Sequence, residues 1–170
     1  MKRLSFFLLV ILLSPTNASA ETLVIQLFQS YEVMAQQQRL VGNLRAVAKT
    51  DGIVVKVPQL YVYHEDQSAA FHLGGFRSGF ERELELVIDR RRGERSMVRL
   101  DRLLERTKTP LGEPLLIDDL PPADVTLAMY RQPNCEECEQ VAETLREWIA
   151  SNPERSVLWL DVRTDPPRGL

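Results

Sequence analysis

Apolar positions along this chain fall into two alternating kinds of pattern: short branched runs and stripes at helical spacing. Thr22–Phe28 (TLVIQLF) reads as a strand. Ser30 can cap the stretch that follows, where Val33, Met34, Leu40, Val41, Leu44 and Val47 recur with helical period to about Ala48. Asp51-Gly52 marks a turn, and Ile53–Tyr63 (IVVKVPQLYVY) is extended, broken once by Pro58. Ala69–Leu73 predicts a further strand ended by Gly74-Gly75. Phe80, Leu84, Val87 and Ile88 line one face of a helix running to about Arg90.

Residues 90–124 break the alternation. Met97, Leu100, Leu103 and Leu104 suggest a short helix. Pro110, Pro114, Pro121 and Pro122 then punctuate a surface-hugging connection over roughly 108–123. Arg90-Arg91-Arg92 reads either as a solvated helix end, favoured by the dipole, or as a docking patch. Val125–Tyr130 is a strand. A helix from about Glu136 to Ser151 carries Val141, Leu145, Trp148 and Ile149 on one face, and Ser156–Val162 (SVLWLDV) is the last strand. Strands alternating with helices predict an α/β sandwich with a mixed sheet of four to five strands.

The first twenty residues have a different layout. Lys2 and Arg3 precede an apolar run, Phe6–Leu13, and Ala18-Ser19-Ala20 is a small-x-small cleavage site. This is the pattern of a secretory signal peptide, and the run is too short to span a bilayer. Cleavage after Ala20 leaves 150 residues with 19 basic and 24 acidic side chains, a net charge of −5. An acidic exported domain is a poor nucleic-acid binder. No later segment is apolar and long enough for a stable membrane span. The expected destination is the periplasm or another exported compartment.

Cys135 and Cys138 are the only cysteines. They sit between a strand and a helix. Unpaired N–H groups and the helix dipole at such a start favour a thiolate on Cys135, and Cys138 lies one turn on, placed to resolve a mixed disulfide. Glu136, Glu137 and Glu139 suit the helix start but oppose a thiolate, which shifts the expectation toward a reducing pair. They are also the nearest proton acceptors. Export favours oxidation, so a static disulfide clip stands beside the redox reading. A metal site needs about four ligands. His64 and His72 are too widely spaced to complete one with the cysteines, so neither a metal nor a cofactor is expected.

The strand–CxxC–helix–strand unit at 125–162 resembles the first half of the thioredoxin-like active-site unit. "VKVPQLYVYHEDQSAAFHLGGFRSGFERELELVI" at 55–88 resembles its second half. There, a hydrophobic residue and a cis-proline open a strand, a hairpin returns to a Gly-containing turn, and a helix closes the domain. The resemblance implies that Val57 and Pro58 form the cis-proline element that binds substrate backbone beside Cys135 and Cys138.

The halves run in the reverse of the family order. Three arrangements account for this: a permuted fold with both halves in one sheet, a degenerate N-terminal domain with Gln29-Ser30-Tyr31-Glu32 in place of the CxxC, or completion by a partner. The permuted fold is preferred because it leaves few orphan sheet edges. The implied organisation is a signal peptide at 1–20, an N-terminal half at 21–90, a helix and Pro-rich connection at 91–124, and the CxxC unit at 125–170. The implied function is thiol–disulfide oxidoreduction on protein thiols or disulfides. The alternative is a non-catalytic thioredoxin-like module of a bacterial envelope, conjugation or secretion system, with assembly proteins as partners and the CxxC as a clip.

Overall fold

The computed structural model describes residues 20–29, 57–90 and 98–164. The expected signal peptide up to Ser19, the expected helix at 31–48 and extended start at 53–56, together with Ser30–Glu32, Arg91, Arg92 and Met97, lie outside the described residues.

Strands β1 (Thr22–Gln29), β2 (Gln59–His64), β3 (Ala69–Gly74), β4 (Thr107–Lys108), β5 (Val125–Arg131) and β6 (Val157–Arg163) form one mixed sheet in the order β3-β2-β5-β6-β1-β4. β5, β6 and β1 are mutually parallel, whereas β2 and β3 at one side and β4 at the other run antiparallel to their neighbours. The sheet thus has six strands rather than four or five. β4 is a two-residue pairing of Thr107 and Lys108 with Gln29 and Phe28, too short to leave any periodicity in the sequence.

Three helices are present among the described residues: α1 (Phe80–Arg90), α2 (Leu100–Leu104) and α3 (Glu136–Ser151). Alternation along the strands sends odd and even residues to opposite faces. Leu60, Val62, Leu127, Met129 and Trp159 bury against Phe80, Leu84 and Val87 of α1 and Val141, Leu145 and Trp148 of α3. Tyr61, Tyr63, Ala128, Tyr130, Leu158 and Leu160 bury on the other face, under Val98, Leu100, Leu103 and Leu104. β5 and β6 are buried on both faces, which is why VTLAMY and VLWLDV read as nearly unbroken apolar runs. Over 109–124 only a 3-10 turn at Ile117–Asp119 is regular, and Leu115, Ile117, Leu120 and Ala123 pack onto that second face.

None of the described helices is long and apolar enough to cross a membrane.

Candidate functional site

β5 is central in the sheet and ends at Arg131; a short turn through Gln132, Pro133 and Asn134 then enters α3. Asn134 takes a left-handed conformation (φ 58°), which asparagine tolerates better than most residues. Cys135 is the N-cap of α3, where a serine or aspartate is commonly found. Its Sγ accepts a hydrogen bond from the Cys138 amide at 3.2 Å. The two cysteines form a disulfide with Cα atoms 5.2 Å apart. Their exposure is unequal: Cys135 is half-buried, whereas Cys138 is fully buried in the core beneath the helix.

The antiparallel register of β2 on β5 sets what lies beside this pair. Gln59 opposes Tyr130, so the entry to β2 sits at the same end of the sheet as the exit of β5. The residues at that entry are Val57 and Pro58, joined by a cis peptide bond. Pro58 is buried, and Val57 packs against both cores, one of which also receives Cys135. A third segment closes the arrangement. The Gly75 amide donates to the Pro58 carbonyl at 2.9 Å, and the next amide, Phe76, donates to Glu137 Oε2 at 3.4 Å. Residues 57–58, 75–76 and 135–138, far apart in the chain, therefore meet at one end of the sheet.

The glutamates of the first turn differ in their partners. Glu137 holds the Phe76 amide, and Glu139 lies 3.4 Å from Arg131 Nη1. Arg131 is itself gripped by Asp161: Nε to Oδ1 at 2.6 Å and Nη2 to Oδ2 at 2.7 Å. Asp161 is buried, and its hydrogen bond is the main reason that the Arg131 pKa lies above the ordinary guanidinium value. A small cavity of about 150 Å³ opens here, lined by Arg131, Gln132, Pro133, Glu139 and Arg163. Sequence reasoning missed the Arg131–Asp161 pair; the one available signal was an acidic residue inside the apolar run SVLWLDV.

Further along β2, Tyr61 stacks on His72 across the β2–β3 pair, with ring centroids 4.6 Å apart. His72 Nε2 lies 2.7 Å from Gln59 Oε1. Burial pushes the His72 pKa below its ordinary value. Among the described residues no group of three His, Cys, Asp or Glu side chains is arranged to hold a metal ion. The chemistry available at this end of the sheet is that of a partly buried cysteine at a helix N-terminus. Comparisons with known protein families, with curated proteins and with solved structures found no match for this chain.

Proposed function

We propose that the chain is an exported thiol–disulfide oxidoreductase with a permuted thioredoxin-like fold. The unit β5–α3–β6 stands for the CxxC half of that fold and β2–β3–α1 for its cis-proline half. The β2–β5 pairing joins them into a single sheet, despite their reversed order in the chain. The observation that carries the reading is the meeting of Cys135, Cys138 and the Val57–Pro58 element at one sheet end, with the first sulfur reachable and the second buried.

In the reduced protein, the Cys135 thiolate attacks one sulfur of a substrate disulfide. The substrate S–S bond breaks, a mixed disulfide forms, and the displaced substrate thiolate takes a proton from solvent. Cys138 gives up its proton and attacks the Cys135 sulfur. The second substrate thiol leaves, and the protein holds the Cys135–Cys138 disulfide seen here. Two electrons have passed to the substrate, and an external dithiol restores the pair. Val57 and Pro58 present the substrate strand. Three carboxylates on the first turn oppose the thiolate, which sets the pair toward the reducing end of the redoxin range. The signal peptide at 1–20 places the reaction in the periplasm or another exported compartment.

A second reading, a non-catalytic envelope or assembly module with a fixed clip, is favoured by Leu111 and Leu116. These large apolar side chains are 85% and 59% exposed on the Pro-rich connection.

One experiment separates the two: the reduction potential of the pair, together with reduction of a protein disulfide by wild type and Cys135→Ser. A reversible potential with activity abolished in the variant supports the enzyme. A pair that resists strong dithiols, with no activity to lose, supports the clip.

A further inference from the structure

At the carboxyl end of the parallel strands β5 and β6, Arg131 and Arg163 are direct partners in the register. Like charges set opposite each other on neighbouring strands oppose the pairing. Both arginines line the cavity of about 150 Å³, together with Gln132, Pro133 and Glu139. Crevices outside the carboxyl ends of parallel strands are where open α/β sheets bind their ligands.

The two arginines differ in what holds them. Arg131 gives two N–H groups to Asp161 and one to Glu139, which leaves two of its five. Arg163 is partly buried, and its guanidinium has no ion-pair or hydrogen-bond partner among the described residues. All of its N–H donors are therefore unspent. Acceptors are scarce in comparison. Glu139 is the one carboxylate that lines the cavity, and its contact with Arg131 is long, at 3.4 Å. Asp161 has both oxygens taken by Arg131. A surplus of guanidinium donors is matched by a carboxylate, which a guanidinium grips with two parallel bonds.

The position of the cavity gives that surplus a use. Gln132 and Pro133 belong to the turn that delivers Cys135, and the Glu139 amide donates to the Cys135 carbonyl at 3.2 Å. Cys135 does not itself line the cavity, so a carboxylate seated there leaves the sulfur open. The net charge of the chain is −3, so anions are not drawn in by its overall field. A preference for them has to come from placed side chains.

We propose that Arg163, with Arg131, determines substrate specificity by seating an acidic side chain of a protein substrate next to the disulfide that Cys135 attacks. This rests on the thiol–disulfide reading and names its substrate class: proteins with Asp or Glu beside a cystine.

The test uses the full chain carrying Cys138→Ser, so that reaction stops at the mixed disulfide. The probes are the disulfide-linked dimers of acetyl-Asp-Cys-Asp-amide and acetyl-Asn-Cys-Asn-amide, which differ only in their carboxylates. Quenched samples read by mass spectrometry give the rate at which each joins Cys135. Arg163→Gln is made in this background. Arg146→Gln, further along α3, removes the same charge as a control.

Arg163→Gln should slow the Asp probe about fivefold, as loss of an ion pair worth about 1 kcal/mol implies, and leave the Asn probe unchanged. An unchanged Asn rate also shows that the variant is folded. Arg146→Gln should alter neither rate. The proposal is overturned if Arg163→Gln slows both probes alike or neither, or if Arg146→Gln has the same effect. Those failures leave the redox reading standing, because they occur with Cys135 still reacting. A Cys135 that joins neither probe sinks both.

Discussion

The Gly75 amide donates a hydrogen bond to the Pro58 carbonyl, 17 residues upstream, at 2.9 Å. This bond fastens the turn leaving β3 to the entry of β2. Because the Phe76 amide reaches Glu137, the same turn also touches the first turn of α3. Gly75 is therefore the link between the proline element and the cysteine element.

Gly75 can serve as that link because its φ is +82°, a region glycine enters without penalty. A Cβ built there lies 3.7 Å from Glu137 Oε2, an ordinary contact, so the cost of a side chain is conformational rather than steric. Gly75→Ala should destabilise the protein by about 1 kcal/mol, and Gly75→Asn by less, since asparagine tolerates left-handed backbone. Urea midpoints of the three proteins check this. Equal stability of Gly75→Ala and wild type would show that the turn is not held in the left-handed conformation in solution.

The unequal burial of the two sulfurs predicts an order of reactivity. In the reduced protein, iodoacetamide should modify Cys135 at least about tenfold faster than Cys138, because reaction needs both thiolate and access. Cys138→Ser should accumulate a mixed disulfide with a small aromatic disulfide reagent; Cys135→Ser should not. Peptide mapping by mass spectrometry reads both outcomes. Comparable modification of the two sites would remove the distinction between attacking and resolving thiols.

Elements with strong periodicity were legible before any coordinates. α1 buries the residues that its stripe singles out, α3 buries Val141, Leu145 and Trp148 of its stripe while Ile149 is only partly buried, and β5 and β6 occupy the positions that their apolar runs suggest. Hydrophobic period reports which face a residue turns to the core, and little else. It could not reveal β4, whose two residues carry no period. Neither could it reveal that β1 lies against β6, since register between paired residues 135 positions apart (Thr22 and Val157) has no local signature. At the site, Cys135 and Cys138 announced themselves by residue type. Arg131 and Asp161 did not, because their meaning comes from a contact between adjacent strands.

The Arg131–Asp161 pair yields a prediction about stability. Asp161 is only 5% exposed, so removing its partner or its charge leaves a buried group unmatched. Asp161→Asn should cost about 2–3 kcal/mol, below the full range for buried pairs because the Arg131 side chain is 24% exposed. Arg131→Leu should cost a similar amount. The double variant Arg131→Leu/Asp161→Leu should lose less than the sum of the two, since it leaves neither charge stranded. A double-mutant cycle on denaturant midpoints measures the coupling. Strict additivity would mean that the pair contributes nothing as a pair.

Stability should also fall at both ends of the pH scale, for groups on the same face of the sheet. Burial lowers the His72 pKa from its ordinary 6.5, so the unfolded chain binds that proton more readily than the folded one. Stability attributable to His72 is therefore complete above 6.5. It is lost as pH falls from there toward the lowered folded value, and His72→Gln should flatten that part of the profile. The tyrosines act in the opposite direction. Burial raises the Tyr61 hydroxyl from 10.0 to about 12, pushes Tyr63 higher still, and lifts Tyr130 well above its ordinary value. Above pH 10 the unfolded chain releases these protons first, so stability drops between pH 10 and 12. Tyr61→Phe should remove part of that slope and leave the rest to Tyr63 and Tyr130. Guanidinium midpoints from pH 5 to 11 measure both limbs. An acid limb unchanged in His72→Gln, or an alkaline limb unchanged in Tyr61→Phe, would assign the titration to other groups.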